Sequence, residues 1–285
     1  MKNILLLTDF SDLSGYARSL ADKVAYHTGA NLHVLKIVLV SSEIVIDKKG
    51  EPIEGMSADL EPIHKEKSDS EIQMRSWVSD LKSNITTSIQ YGNLLDVIHD
   101  YILNNDIKLV VMGTHGAFGL EGLLSGSVTE HVIKNNSVPV LSLKCDRDNI
   151  DFSDFLITGE FDGEKAIENL DILKALQGVF NSTFHLLCVN TSKRFMTTAE
   201  SMRRMKAFAQ ANRLERVEYH TYNDKTVEDG IVNFSNNYDA SHDLKIDIIA
   251  VEKKKKSQLG YTLTGCQATD FVNHVYRPII TYTKG

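Results

Sequence analysis

Short apolar runs alternate with amphipathic segments along the whole chain. In the first half the apolar runs predict five strands, over residues 4–7, 32–40, 85–90, 109–112 and 138–143. Apolar positions at helical spacing predict helices between them, over residues 13–27, 70–81, 96–104 and 128–134. Strands that alternate with such helices are typical of a parallel sheet with helices on both faces. We therefore expect an α/β fold with a doubly wound sheet.

The second half of the chain repeats the same pattern. Its predicted strands cover residues 155–157, 184–189, 217–220, 246–251 and 279–282, and its predicted helices cover 166–176, 199–211 and 226–236. The last quarters of the two halves align without a gap, with Ile107 on Ile246 and Pro139 on Pro278. This indicates an internal duplication. We expect one domain over residues 1–146 and a second over 152–285, joined by a short polar linker.

Composition narrows the range of functions. A chain of 285 residues with 42% hydrophobic and 24% charged residues fits two globular domains. A net charge of −7 disfavours nonspecific binding to nucleic acid. The three cysteines lack the spacing of a metal site or a disulfide framework, and no apolar run reaches the length of a membrane span. We expect a cytoplasmic protein that binds neither nucleic acid nor membranes.

A glycine-punctuated loop follows the strand over 109–112. It begins Gly113-Thr114-His115-Gly116 and ends, nine residues later, in Gly126-Ser127-Val128-Thr129. Glycine lets the main chain approach an anion closely, and a helix that begins near Gly126 would point unpaired N–H groups at that anion. The pattern predicts a phosphate-binding loop. The alternative is an ordinary strand-to-helix loop that uses glycine for turning.

Asp9 follows the first strand. In open α/β sheets ligands bind beyond the carboxyl ends of the strands, where the strand order reverses. If strands one and four are neighbours, Asp9 and Gly113 lie across one crevice. A carboxylate only accepts hydrogen bonds, so Asp9 suits ribose hydroxyls or an adenine amino group. Capping of the next helix is an equal alternative for Asp9, although Ser11 or Asp12 is the better cap.

Two familiar phosphate motifs are absent from the sequence. It contains no Gly-x-x-x-x-Gly-Lys-Ser/Thr loop, and no Gly-x-Gly-x-x-Gly follows the first strand. A P-loop ATPase and a dinucleotide-dependent oxidoreductase are both disfavoured. The spacing Gly113-x2-Gly116-x9-Gly126-Ser127, together with Thr8-Asp9-Phe10-Ser11, instead resembles the ATP-binding signature of the universal stress protein family. The resemblance is close in the first half and extends to the second in outline, so the chain looks like a tandem member.

This resemblance implies a fold and a ligand. Each domain would have a five-stranded parallel sheet of order 3-2-1-4-5, and the ligand would be ATP or AMP, which Mg²⁺ can accompany. Asp9 would contact the adenosine, the backbone of Ile37 the adenine, and Gly113 the ribose. The remaining predicted site residues would lie at the phosphates or beside them: Gly116, Gly126, Ser127, Val128 and Thr129. The last strands, over 138–143 and 278–282, could pair within one chain as a pseudo-dimer, with a homodimer also open.

The second half departs from the signature. Gly113, Gly116 and Ser127 align with Glu252, Lys255 and Cys266, so that only Gly126 is retained, as Gly265. Asp9 aligns with Glu160. The lysine-rich segment 252–256 is expected to be a solvated surface loop. We therefore predict one nucleotide site per chain and a second domain that is a structural copy.

Other polar residues favour structural roles. Glu61, His64, Glu66 and Asp69 suggest a metal site, but their stretch, 57–70, fits a solvated connection better. Residues 44–53, within a long insertion over 41–70, are expected to form a hairpin around Lys49-Gly50. No cysteine has an evident histidine partner. We predict neither a metal site nor catalytic residues.

The resemblance, together with the glycine loop, Asp9 and the repeat, implies a nucleotide-dependent stress regulator or adaptor with an unidentified protein partner. ATP hydrolysis should be slow at most, because the sequence offers no evident general base or lysine clamp at the phosphates. One alternative is a ligand-free interaction scaffold of the same fold. A slow ATPase is the less favoured alternative.

Overall fold

The chain divides into two compact units, Met1–Val132 and Ile133–Gly285. The domain limits expected from the sequence, 1–146 and 152–285, remain predictions. The computed structural model describes residues 2–41, 44–47, 50–53, 60–113, 128–144, 150–159, 161, 170–242, 245–255, 261–263 and 277–283. Among the helices of these residues, none is both long and apolar enough to cross a membrane.

The first unit alternates strands and helices. In chain order they are β1 (Asn3–Thr8), α1 (Asp12–Thr28), β2 (Asn31–Leu39), α2 (Glu61–Trp77), β3 (Asn84–Gly92), α3 (Leu94–Asn104) and β4 (Ile107–Gly113). The next helix, α4 (Val128–Asn135), begins in this unit and ends in the other. The four strands pair in parallel in the order β3-β2-β1-β4.

Local sequence explains how α1 begins, packs and ends. Ser11 is its N-cap, and the side-chain oxygen accepts a hydrogen bond from the Ser14 N–H at 3.3 Å. The helix ends at Gly29, whose φ of 67° lies in the left-handed region that glycine favours. Leu20 and Val24 belong to its buried face, and the apolar residues of β1 are buried beside them. The apolar periodicity seen in the sequence is therefore the core of this unit.

The second unit contains seven strands and three complete helices within its described residues. They are β5 (Val140–Leu143), β6 (Asp154–Thr158), α5 (Asp171–Phe180), β7 (Thr183–Asn190), α6 (Thr198–Ala211), β8 (Val217–Asn223), α7 (Val227–His242), β9 (Ile248–Lys255), β10 (Tyr261–Leu263) and β11 (Ile279–Thr283). The strand order is β5-β11-β9-β6-β7-β8. Among the strand pairs that the described residues of this unit form, β5–β11 and β10–β9 are antiparallel and the others are parallel.

The strand pairings within the two halves are equivalent. Leu6 on β1 pairs with Val34 and Val111, while Ile157 on β6 pairs with Leu186 and Ala250. The five strands β8-β7-β6-β9-β11 thus repeat the order 3-2-1-4-5. The predicted α/β fold is confirmed, and so is this strand order in the first domain. The expected pairing of the two last strands is also confirmed, because β5 pairs with β11.

Two predictions about loops were wrong. Residues 61–70 belong to helix α2 instead of a solvated connection. Residues 252–255 continue strand β9, and the side chains of Glu252 and Lys253 are buried, 3% and 0% exposed. Burial of Lys253 is possible because its ammonium donates hydrogen bonds to the backbone oxygens of Ile133 at 3.1 Å and Asn136 at 2.5 Å.

The predicted hairpin in the insertion is confirmed in its described parts. Ile46 and Pro52 form an antiparallel bridge, and the Ile53 N–H donates to the Val45 oxygen at 2.9 Å. Helix α5 begins at Asp171, later than the predicted residue 166, although residues 162–169 lie outside the described part of the chain.

Candidate functional site

The carboxyl ends of β1 and β4 lie side by side in the first unit. The order β3-β2-β1-β4 means that the chain moves from β1 to β2 on one side and returns to β4 on the other. The strand order therefore reverses between β1 and β4, which is where open α/β sheets bind ligands. Leu6 pairs with Val111, so Thr8 and Gly113 both follow by two residues at the same edge. The loops that contain Asp9 and Gly113 both start there.

Asp9 is held in place by Ser11. One carboxylate oxygen of Asp9 accepts hydrogen bonds from the Ser11 N–H at 3.0 Å and from the Ser11 hydroxyl at 2.5 Å. Ser11 is the residue that caps α1. Between them Phe10 has a left-handed φ of 64°, and its N–H donates to the Thr8 hydroxyl at 2.9 Å. The capping alternative for Asp9 is thus resolved in favour of Ser11, and Asp9 is a half-buried carboxylate of fixed orientation.

A cleft of about 420 Å³ opens beside Asp9. Its volume lies in the range typical of small-molecule sites. The walls come from the β1–α1 loop, from β2 and from α2: Asp9, Phe10, Lys36, Pro62, Lys65, Glu66, Asp69, Ser70 and Gln73. Seven of these nine lining residues are polar, and they carry both signs of charge. Such walls suit a ligand with polar groups.

Contacts along α2 shape this cleft. The Phe10 and Trp77 rings meet edge to face, 5.6 Å apart between centroids. The Lys36 ammonium lies 3.2 Å from a Glu66 carboxylate oxygen. His64 Nδ1 lies 3.0 Å from the Tyr91 hydroxyl. Each of these contacts fixes α2 to the sheet or to the β1–α1 loop, and two of them use residues that the sequence had suggested as metal ligands.

Packing favours glycine at position 113. A Cβ atom at this position would lie 3.0 Å from the Leu13 carbonyl oxygen and 3.2 Å from the Leu13 Cβ. Two of the three nearest atoms belong to the backbone, so the first turn of α1 would have to shift by a few tenths of an ångström to admit a side chain. This close approach accounts for a glycine at position 113 even if no ligand binds there. It also places bare backbone at the switch point, as the predicted ribose contact requires.

Two predicted residues begin helix α4. Val128 is its first residue and is buried, 6% exposed. Thr129 is also buried, and its hydroxyl donates to the Gly113 carbonyl oxygen at 3.5 Å. This contact ties the start of α4 to the end of β4. The two ends of the glycine loop are therefore held close together.

Ile37 occupies the carboxyl end of β2. Its side chain is buried, while β2 continues past Lys36, the last residue paired with β1, and remains paired with β3. The main chain at Ile37 therefore lies beyond the end of β1. The family resemblance predicts that this main chain contacts the adenine. The other three predicted phosphate-binding residues, Gly116, Gly126 and Ser127, lie outside the described residues.

The corresponding place in the second unit is filled by side chains. By strand register Glu252 takes the position of Gly113. A Glu252 carboxylate oxygen lies 3.4 Å from the point where a Cβ on Gly159 would sit, and the Tyr282 hydroxyl lies 3.5 Å from that point. Burial, and after it the Glu252 charge, raises the pKa of Tyr282 well above its ordinary value. A buried acid and a buried phenol thus stand where the first unit has bare backbone.

The sequence analysis did not identify one group of side chains that could bind a metal ion. His185 on β7 and Glu218 and His220 on β8 bring three possible ligand atoms within 4.8 Å of one another. A signal was present, since Glu218-Tyr219-His220 puts two ligand side chains on one face of a strand. The third residue could be added only once the pairing of β7 with β8 was known.

Comparison with known proteins places the chain in a family. Residues 1–144 match the model of the universal stress protein family. Universal stress protein MJ0531 of Methanocaldococcus jannaschii is 32% identical over 144 residues, which are 50% of this chain and 82% of that protein. Universal stress protein MJ0577 of the same organism is 34% identical over 64 residues, which are 22% of this chain and 37% of that protein.

A solved structure extends the similarity in fold to both halves. The crystal structure of a universal stress protein from Archaeoglobus fulgidus matches 99% of this chain and 98% of its own, with a TM-score of 0.68 and 16% identity. Its similarity concerns the fold, while the match over residues 1–144 concerns the sequence. The chain belongs to the universal stress protein family.

Proposed function

We propose that the first domain binds ATP or AMP at the carboxyl ends of β1 and β4, and that the protein acts as a nucleotide-dependent stress regulator or adaptor. The observation that carries this proposal is the position of the glycine signature. Its first residue, Gly113, ends β4 at the switch point, directly beside the strand that leads into Asp9. A ligand-binding motif and a ligand-binding position in the fold therefore coincide.

The described residues support distinct roles in this site. Asp9, oriented by Ser11, accepts hydrogen bonds from the adenosine, and the cleft beside it has room for a polar group. The main chain of Ile37 faces the adenine. The glycines at 116 and 126 and the hydroxyl of Ser127 hold the phosphates, because main-chain N–H groups at a helix start attract anions. We expect ATP hydrolysis to be slow at most, because the sequence has no Gly-x-x-x-x-Gly-Lys-Ser/Thr loop to place a lysine at the terminal phosphates.

The second domain, in this proposal, binds no nucleotide. Glu252 puts a buried carboxylate where Gly113 presents backbone, and its charge repels phosphate. Lys253, next to it, is engaged with carbonyl oxygens of residues 133, 136 and 138 and does not reach the place in which phosphate would lie. The second domain thus has a structural role only.

Calorimetric titration with ATP, AMP and GTP tests the proposal. The purified full chain should bind the two adenine nucleotides more tightly than GTP. Asp9→Asn should weaken adenine-nucleotide binding, because an amide replaces one acceptor oxygen by a donor. Glu160→Gln, its counterpart in the second half, is the matched control and should leave binding unchanged. Absence of adenine-nucleotide binding at millimolar ligand would overturn the proposal.

A ligand-free scaffold is the second candidate, and one observation favours it. Gly113 and Asp9 each have a structural reason to be present, the first in its approach to Leu13 and the second in its bonds to Ser11. These structural roles are sufficient to explain both residues in a scaffold that binds no ligand. The same titration separates the two functions, because the scaffold predicts no heat with any nucleotide while the protein remains folded.

A further inference from the structure

Three possible metal ligands meet across two neighbouring strands of the second unit. His185 on β7 pairs in register with Glu218 on β8, and His220 lies two residues further along β8. Alternate residues of a strand point to the same face of a sheet, so Glu218 and His220 share a face. The strand pairing places both of them beside His185.

The distances between the ligand atoms fit one small cation. His185 Nδ1 lies 3.2 Å from His220 Nε2 and 3.4 Å from a Glu218 carboxylate oxygen, and that oxygen lies 3.7 Å from His220 Nε2. In a tetrahedral zinc site, bonds of about 2.0–2.1 Å put neighbouring ligand atoms about 3.4 Å apart. The triangle formed by the three atoms therefore has the size of one face of such a tetrahedron.

A second residue orients His185 for this role. His185 Nε2 lies 2.9 Å from an Asp154 carboxylate oxygen. When this nitrogen carries the proton and donates it to Asp154, Nδ1 presents its lone pair to Glu218 and His220. Zinc-binding histidines commonly donate their other N–H to a carboxylate in this way. Asp154 is itself fixed, since its backbone N–H and that of Ser153 donate to Asp247 at 3.3 and 2.8 Å.

The first unit provides an internal comparison. By strand register His33 corresponds to His185, Thr86 to Glu218, and Ser88 to His220. His33 contacts the Tyr101 hydroxyl at 3.0 Å and an Asn31 side-chain nitrogen at 2.8 Å. The fold therefore accommodates this buried histidine without a carboxylate and a second histidine beside it. The additional ligand side chains are a property of the second unit.

We propose that His185, Glu218 and His220 bind a divalent transition-metal ion, with Zn²⁺ the best match to two imidazoles and a carboxylate. Asp154 is a positioning residue. The Glu218 side chain is 52% exposed, so the ion can enter from solvent and a water can take a fourth position. Because β8 is the outermost strand in the order of this unit, the ion links this edge strand to its neighbour β7. Metal binding should stabilise the second unit.

Zinc titration of the full chain, stripped of metal with a chelator, tests this proposal. Calorimetry should show that the wild type binds a zinc ion. His220→Gln and Glu218→Gln should bind zinc more weakly or not at all. Asp154→Asn should weaken zinc binding about 10- to 100-fold, as the loss of a carboxylate that orients a zinc-binding histidine does. His99→Gln, an exposed histidine of the first unit, is the control and should bind as the wild type does.

Two further readouts separate ligation from a merely structural role. Zinc should raise the unfolding temperature of the wild type and not that of His220→Gln. Bound Co²⁺ should give the intense visible bands of a tetrahedral site, lost in His220→Gln, while Mg²⁺, which prefers oxygen ligands, should not compete. Equal zinc affinity of the wild type and a folded His220→Gln protein, or no saturable binding by the wild type, would overturn the proposal.

Discussion

The carbonyl oxygen of Leu13 lies 3.0 Å from the position that a Cβ atom on Gly113 would take. The first turn of α1 therefore packs directly on the main chain at the end of β4. One glycine serves two purposes in this protein: it allows the helix to approach the sheet, and it leaves bare backbone at the point where a nucleotide would bind. Stability and binding should both depend on it.

Gly113→Ala should destabilise the protein. The added methyl group would lie 3.0 Å from the Leu13 carbonyl oxygen, so the backbone there must shift by a few tenths of an ångström, and overpacking of this kind costs about 1–3 kcal/mol. The free energy of unfolding, measured by urea titration, should fall by that amount. Gly15→Ala is the matched control, because Gly15 lies in α1 with open space around its Cβ position. Alanine there should stabilise the helix by up to about 1 kcal/mol. A loss of stability in both variants, or in neither, would contradict this explanation of Gly113.

Ser11→Ala should affect both stability and nucleotide affinity. It removes the N-cap of α1, a loss of about 1 kcal/mol, and one of the two hydrogen bonds that orient Asp9, the one from the Ser11 hydroxyl. The backbone N–H can still donate, so we expect adenine-nucleotide affinity to fall by about three- to tenfold. Calorimetry and urea unfolding of the same preparation measure the two effects.

Thr197→Ala provides the comparison for Ser11→Ala. Thr197 caps α6 in the second half, where its side chain accepts a hydrogen bond from the Glu200 N–H at 3.2 Å. This variant should lose a similar free energy of unfolding and keep its nucleotide affinity. If both cap variants weakened nucleotide binding alike, the loss would reflect general destabilisation and not the orientation of Asp9.

Lys253 should make stability depend on pH. Burial lowers the pKa of this side chain from 10.5 to about 7. Between those two values the unfolded chain holds a proton that the folded chain has released, so the free energy of unfolding rises with pH; below about pH 7 both states are protonated and the rise ends. Lys253→Met removes the titrating group and should lack this rise.

Urea unfolding at several pH values between about 7 and 10 measures this difference. Lys206→Met, at an exposed position of α6, is the control and should keep the rise seen in the wild type. Parallel pH profiles for the wild type and Lys253→Met would show that the ammonium stays protonated in the folded protein, held by its three carbonyl partners.

Much of the fold could be predicted from local patterns. The run Ile4 to Leu7 is uniformly buried as β1, and Ser11 caps the helix that follows it. The phosphate-loop prediction rested on spacing alone, and its first residue lies at the end of β4, as expected. Signals of this kind lie within a few residues of one another, so a sequence displays them directly.

Other features depend on contacts between distant segments. Lys253 was predicted to be solvated because lysine is rarely buried. The oxygens that accept its hydrogen bonds belong to residues 133, 136 and 138, more than 100 positions away. The cluster around His185 joins β7 to β8 in a register that the sequence does not display. Neither feature could be recognised before the strand pairing was known.

The number of adenine nucleotides bound per chain tests the central claim most directly. Calorimetry on the wild type should give one site. Gly126→Arg should abolish it, because a side chain would enter the phosphate loop, while Gly265→Arg, the aligned position in the second half, should retain one site of unchanged affinity. Two sites per chain, or binding that survives Gly126→Arg and disappears in Gly265→Arg, would contradict a nucleotide site confined to the first domain.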